Sequence, residues 1–277
     1  MFPLDTQYGL LIQIFTFVLL PPLISCKHEL RILQGVDDDP PKYPYVVALM
    51  KIERLPFYGR RGCTCTLITP TWVLTASHCF ALYIGRPTFY IQYGNMSKPL
   101  HETSSRSLVL KTIKHPRFFV RERAATARFY VNDLGLLLVE PVAMVEFGKL
   151  SARDFSTMAG HAIEYAGFGR TIPLFIRNPL KLKTIMLDQF RPLQVGTAVI
   201  KSCPEELLSK RFLCLSPKCN IKQFLSNKDS GGPLFLNNKI VGVCTGVTAW
   251  IKSEVSEMFY NPISPYLEWI EHHVLSN

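Results

Sequence analysis

Lys228-Asp229-Ser230-Gly231-Gly232-Pro233 is the stretch from which the rest of this chain can be read. A serine set between an acid and two glycines can be a strained, exposed nucleophile whose neighbouring amides point at a reacting carbonyl, an arrangement that larger residues would obstruct. Far upstream, Thr75-Ala76-Ser77-His78-Cys79 offers a histidine beside a cysteine. Asn132-Asp133-Leu134-Gly135-Leu136-Leu137 offers an acid entering an apolar run. A base, an orienting acid and a nucleophile therefore occur in the chain order His, Asp, Ser.

On these three motifs the chain resembles the trypsin- and chymotrypsin-like serine proteases, family S1, from about Arg31 to Ile270. The resemblance implies His78 as general base, Asp133 as its orienting acid and Ser230 as nucleophile. It also implies the backbone amides of Lys228 and Ser230 as the oxyanion hole. It implies an all-β fold of two six-stranded antiparallel Greek-key barrels with a C-terminal helix, the site lying in the cleft between them. Peptide or protein is the expected substrate, and no cofactor or metal is called for.

Length and composition agree. A chain of 277 residues, 48% apolar, can bury a large core, and no repeat or low-complexity segment points to disorder. The formal charge of +10 rises to +11 when Asp5 leaves with the leader described next. Arg117, Arg121, Arg123 and Arg128 make the stretch before Asp133 basic, either as a solvated loop or as a contact for an acidic protein or glycan surface. No nucleic-acid motif is present, and a monomer is expected.

Residues 1–25 read as a secretory signal peptide, with an apolar run over 10–20, Pro21-Pro22 behind it and the small Ser25 before the cut. A short membrane anchor is the alternative, and Leu23-Ile24-Ser25-Cys26 also resembles a bacterial lipoprotein site. Residues 26–31 would then be a short activation peptide and 32–277 the protease-like domain, its two barrels meeting near 148–160. The family implies cleavage after Arg31 by an activating protease. The freed amine of Ile32 would turn inward to pair with Asp229, a zymogen control in which a buried charge gains its partner. Ile32-Leu33-Gln34-Gly35 departs from the usual Ile-Val-Gly-Gly in its middle residues. An uncleaved surface Arg-Ile bond is the bland alternative.

Eight cysteines fit an oxidising compartment, which means extracellular secretion. By resemblance Cys63 pairs with Cys79, fixing His78, and Cys203 pairs with Cys214. Ser226 replaces the family's cysteine four residues before the nucleophile, so a displaced Cys219–Cys244 bridge is a further expectation. Cys65 stands where the family has glycine, and Cys26 lies at the leader's end. Paired Cys-x-x-Cys units are missing, which argues against zinc. Asn95-Met96-Ser97 is a glycosylation sequon on a polar loop.

Strands are expected at 44–49, 66–69, 71–75, 89–94, 108–113, 134–139, 162–169 and 183–187. A final helix is expected to open at Ser264, as cap, with Pro265 at its first position. The specificity pocket departs most from the family. Phe224 stands at its floor, Met258 at the wall, and Cys244-Thr245-Gly246-Val247 replaces the usual Ser-Trp-Gly wall, with Thr245 and Val247 as lining residues. Large residues there would fill a deep pocket, so an arginine or lysine preference is not expected. Two functions follow: a secreted serine endopeptidase, or a protease-like binding protein that processes nothing.

Overall fold

The structure is a computed structural model. It describes residues 36–37, 42–52, 59–83, 87–123, 127–169, 191–203, 211–218, 223, 225–226, 228–249 and 256–276. The leader, the activation segment with Arg31 and Ile32, the expected strand at 183–187, Phe224 and Cys219 lie outside them.

The first barrel follows from six β-branched or apolar segments. β1 (Val36–Asp37) lies apart and pairs elsewhere. β2 (Val46–Ile52), β3 (Gly59–Leu67) and β4 (Trp72–Thr75) come next, then β5 (Thr88–Gln92), β6 (Arg106–Lys114) and β9 (Gly135–Val139). They close in the order β2-β3-β4-β9-β6-β5. Trp72, Val73, Leu74, Leu136 and Leu137 are buried. Runs apolar on successive residues, rather than alternating, mark strands covered on both faces. Each such side chain contributes roughly 1.5–3 kcal/mol. Between β6 and β9, β7 (Phe119–Arg123) and β8 (Ala127–Val131) form a separate two-stranded hairpin.

The second barrel is built from β10 (Ala162–Gly167), β11 (Gln194–Lys201), β12 (Leu213–Pro217), β13 (Pro233–Leu236), β14 (Lys239–Ala249) and β15 (Ser256–Pro262). Their order is β11-β10-β13-β14-β15-β12, and β12 pairs back onto β11 to close the ring, with β1 appended to β11. The fold is thus all-β, two closed six-stranded antiparallel barrels. One apolar cluster fills the first barrel and runs on through Phe235, Ile240, Val243 and Ile263 of the second half, so the barrels share packed surface. A second cluster, including Tyr165, Leu215, Met258 and Tyr260, fills the other barrel.

The chain ends in a 3-10 turn (Ser264–Tyr266) and a helix (Leu267–Leu275), whose Ile270 is buried. Ser264 is not the cap: Ile263 precedes the turn in helical conformation, and no side chain caps it. Proline at the start of the turn has no N–H to satisfy, so a capping hydroxyl is not needed there.

Candidate active site

The pairing of β4 with β9 brings the first two site residues together. Thr75 at the end of β4 is opposite Gly135 at the start of β9, so residues just after the one strand and just before the other emerge side by side. His78 opens a one-turn helix, α1 (His78–Ala81), after β4, and Asp133 directly precedes β9. Gly135 allows this turn to sit close. A Cβ there would come within 2.5 Å of the Phe80 ring. Asn132, just before the acid, has φ +51°, a conformation asparagine tolerates better than most residues. Its carboxamide oxygen accepts from the Tyr266 hydroxyl at 2.9 Å.

Asp133 is completely buried and fully engaged. Its Oδ1 accepts the His78 backbone N–H at 2.8 Å, and its Oδ2 meets His78 Nδ1 at 2.6 Å. Oδ2 also accepts the Thr245 hydroxyl at 2.7 Å, and the main-chain carbonyl of Asp133 accepts from Asn261 Nδ2 at 3.2 Å. An ionised carboxylate only accepts, so Nδ1 carries the proton and Nε2 is left with its lone pair outward. The side chain of His78 is 13% exposed, so the imidazole is reachable from solvent.

Ser230 is brought to the same place by the junction of the barrels. The Thr64 N–H of β3 donates to the Ser230 carbonyl at 2.9 Å, and Cys79 Sγ lies 3.7 Å from that oxygen. Gly231 follows with φ +82°, and a Cβ there would meet Thr75 Oγ1 at 2.2 Å and the Thr64 carbonyl at 2.3 Å. Only glycine permits that approach, which is why the nucleophile motif carries it. Ser230 Oγ and His78 Nε2 are not hydrogen-bonded in this structure. Catalytic hydrogen bonds often tighten only when substrate is bound. The Ser230 N–H makes no hydrogen bond among the described residues, as suits an oxyanion donor.

Lys228 departs from what its residue type favours. Its φ is +85°, and its carbonyl is held by the Thr64 hydroxyl at 2.9 Å. The backbone therefore takes the turn that a glycine would take freely, with a lysine in place. Next to it the buried Asp229 accepts the N–H groups of Gly169 and Ser226, each at 2.7 Å.

The disulfides Cys63–Cys79 and Cys203–Cys214 are formed. Cys63, His78 and Cys79 cluster closely, but the bridge consumes both thiolates, so the group is not a metal donor set. The expected Cys219–Cys244 bridge is corrected: Cys244 is a free thiol, buried in the second barrel, and Cys65 is a second free buried thiol. Burial pushes the Cys244 thiol well up, with the charge of Asp229 adding, and pushes Cys65 up to about 12. Both are held neutral and unreactive.

Of the four residues expected at the pocket, Thr245 and Met258 have described side chains, while Phe224 lies outside the described residues. Thr245 does not line a pocket with its side chain, because a register shift between Cys244 and Gly246 makes it the extra residue of a bulge on β14. A bulge re-aims its side chain, here onto Asp133. Met258 is fully buried in the second-barrel cluster and pairs across the strands with Val247. Its bulk occupies interior space that a small residue would leave open.

Two contributors were missed in the sequence. Thr245 was read for the pocket rather than for the acid, since a bulge leaves no residue-type signature. Tyr130, three residues before Asp133, lies face to face with the His78 ring, centroids 4.5 Å and planes 10° apart. The same hairpin reaches the other barrel, where Phe129 packs edge-on to Phe259 with centroids 6.5 Å apart. Strand β8 thus touches His78 with Tyr130 and the second barrel with Phe129.

Two barrels with His, Asp and Ser at their junction define a serine-protease fold. A model of the trypsin family matches residues 32–270, and the chain belongs to that family. It is 26% identical to "Serine protease SP24D" of Anopheles gambiae over 249 residues, covering 87% of this chain and 80% of that one. It is 27% identical to "Kallikrein-11" of Mus musculus over 262 residues, covering 90% and 84%. "Kallikrein 1-related peptidase b3" of the same organism is 26% identical over 263 residues, covering 88% and 95%. Among the described residues no helix is long and apolar enough to cross a membrane.

Proposed function

We propose that this chain is a secreted serine endopeptidase, made as a zymogen and cut after Arg31. Ser230 attacks the peptide carbonyl, His78 Nε2 takes its proton and returns it to the leaving amine, and Asp133 holds the imidazole in the required tautomer. The amides of Lys228 and Ser230 stabilise the oxyanion, and water then releases the acyl group from Ser230. The observation that carries this reading is the double grip of Asp133 on His78, through Nδ1 and through the backbone N–H. A histidine serving only the core needs no such fixed lone pair.

Activation is assigned to the amine of Ile32 pairing with Asp229. Support comes from a buried carboxylate held at the turn that also carries Lys228 and Ser230. Met258 in the barrel interior, together with Phe224 in the sequence, supports a preference away from arginine and lysine. The basic residues of 117–128 are assigned to an acidic protein or glycan surface, and the working unit is a monomer without cofactor.

One observation favours a second reading, a binding protein with little turnover: Lys228 holds the oxyanion turn at φ +85° while Tyr130 covers one face of the imidazole. Labelling with a fluorophosphonate probe, before and after cleavage at Arg31-Ile32, separates the two. Cleavage-dependent labelling, lost in Ser230→Ala and in His78→Ala, is expected. Absence of labelling in folded protein with a confirmed Ile32 terminus sinks the enzyme reading.

A further inference from the structure

Away from the triad, a cavity of about 600 Å³ opens beside the short loop after β5. None of His78, Asp133 or Ser230 lines it. Its lining includes the buried Tyr43, Phe168, Met96 and Leu193 and the half-buried Tyr93 and Met144, with Asn95 and Ser97 as its exposed rim. These rim residues are the single Asn-x-Ser/Thr sequon of the sequence.

The loop presents that sequon in a defined way. Gly94 enters with φ +65°, and Met96 is buried in the main core cluster, so the central residue is pinned while Asn95 and Ser97 stay exposed. Asn95 Oδ1 accepts both the Ser97 N–H at 2.8 Å and the Ser97 hydroxyl at 2.6 Å. The loop's hydrogen bonds thus fall on Oδ1 rather than Nδ2, and the exposed Asn95 is open to a modifying enzyme. Donation to Oδ1 also makes that amide more acidic.

We infer that Asn95 carries an N-linked oligosaccharide and that the adjoining cavity is the cradle for its first sugars. The inference rests on the secretory route proposed above. In the transfer, Asn95 Nδ2 bonds to the anomeric carbon of an oligosaccharide carried on a polyprenyl diphosphate. The anomeric C–O bond breaks, the diphosphate leaves with the electron pair, and the amide gives up one proton. The sugar is bound where it is attached, so no separate recognition is needed to fill the cavity. The axial C–H faces of a pyranose match the half-buried ring of Tyr93, and its hydroxyls meet water at the rim. Covering Tyr93 and Met144, the half-buried part of the lining, also removes apolar surface from solvent, which stabilises the fold. Phe168 couples this wall to the site, because its N–H donates to Thr64 Oγ1 at 3.0 Å and the next residue, Gly169, donates to Asp229.

The test expresses the full chain in a eukaryotic secretory line and follows the medium, the cytosol and the mass. Secreted protein should lose the mass of an oligosaccharide on treatment with peptide N-glycosidase. Asn95→Gln and Ser97→Ala should abolish that loss, and Ser97→Thr should keep it. Trimming to the single reducing-end sugar with an endoglycosidase should leave Tm unchanged, whereas complete removal should lower it by several degrees. Tyr93→Ser should erase the difference between trimmed and stripped forms. Secreted protein with an unmodified Asn95 overturns the inference and leaves secretion standing. Protein held in the cytosol with its leader intact overturns the secretory reading beneath it. A glycan whose complete removal leaves Tm unchanged overturns the cradle.

Discussion

The Thr245 hydroxyl of the second barrel donates to Asp133 Oδ2 of the first at 2.7 Å, alongside the His78 Nδ1 contact. The carboxylate that grips His78 is therefore held from both barrels at once, and the two cannot part there without breaking its hydrogen bonds.

Thr245→Ala removes one donor from a buried carboxylate, and a hydrogen bond to a charged group is worth about 1.5–3 kcal/mol. Urea unfolding is expected to show a loss in that range, and fluorophosphonate labelling of the activated protein should slow. Thr245→Ser keeps the hydroxyl and should restore both. Equal behaviour of the Ala and Ser variants would show the bond to be idle.

Lys228→Gly addresses the strained turn at φ +85°. A side chain in the left-handed region costs roughly 1–2 kcal/mol, partly offset by the greater freedom of glycine in the unfolded chain. The variant is expected to gain about 1 kcal/mol of stability and to label faster, because the oxyanion amide then sits in an unstrained backbone. A slower-labelling variant would mean that the lysine side chain itself assists.

The thiol of Cys65 sets an alkaline limit. Folding raises it from an ordinary 9.0 to about 12, so the unfolded chain releases its proton first. Its contribution is whole below about pH 9 and is lost as pH rises towards 12, at about 1.4 kcal/mol per pH unit. Cys244 and Tyr260 move in the same direction. Stability measured across pH 8–11 should fall steeply in the parent and by about one proton less in Cys65→Ala. Identical slopes would remove Cys65 from the account.

The chain order of His78, Asp133 and Ser230 and the apolar strands flanking them were legible because each has a local signature. A glycine pair marks a close backbone approach, and a run of leucines marks a strand covered on both faces. Cys63 and Cys79 were legible only through family resemblance. What stayed hidden depends on register. Nothing in Cys244-Thr245-Gly246 announces a bulge, yet that one-residue shift turns Thr245 from pocket wall to partner of the acid. Tyr130 and Phe129 lie in a hairpin whose basic residues drew attention to charge, while its aromatic rings make the contacts across the cleft. The Cys219–Cys244 pairing failed because Cys244 faces the barrel core, where burial already satisfies a neutral thiol.

Tyr165 offers a test of the second barrel's interior. Its ring is buried in the core cluster, and its hydroxyl has no hydrogen-bond partner among the described residues. Burial, with the nearby charge of Asp229 adding to it, drives its ionisation far up, so the group stays a neutral and desolvated phenol. A buried polar group without a partner costs about 1–3 kcal/mol, and phenylalanine has the same ring without the cost. Tyr165→Phe is therefore expected to raise stability by about 1 kcal/mol in urea unfolding with an unchanged m-value. The Gly196 backbone against which the ring packs should be undisturbed. A loss of more than about 1 kcal/mol would instead show the hydroxyl to be bonded to a buried water, whose removal leaves other polar atoms exposed to the apolar core.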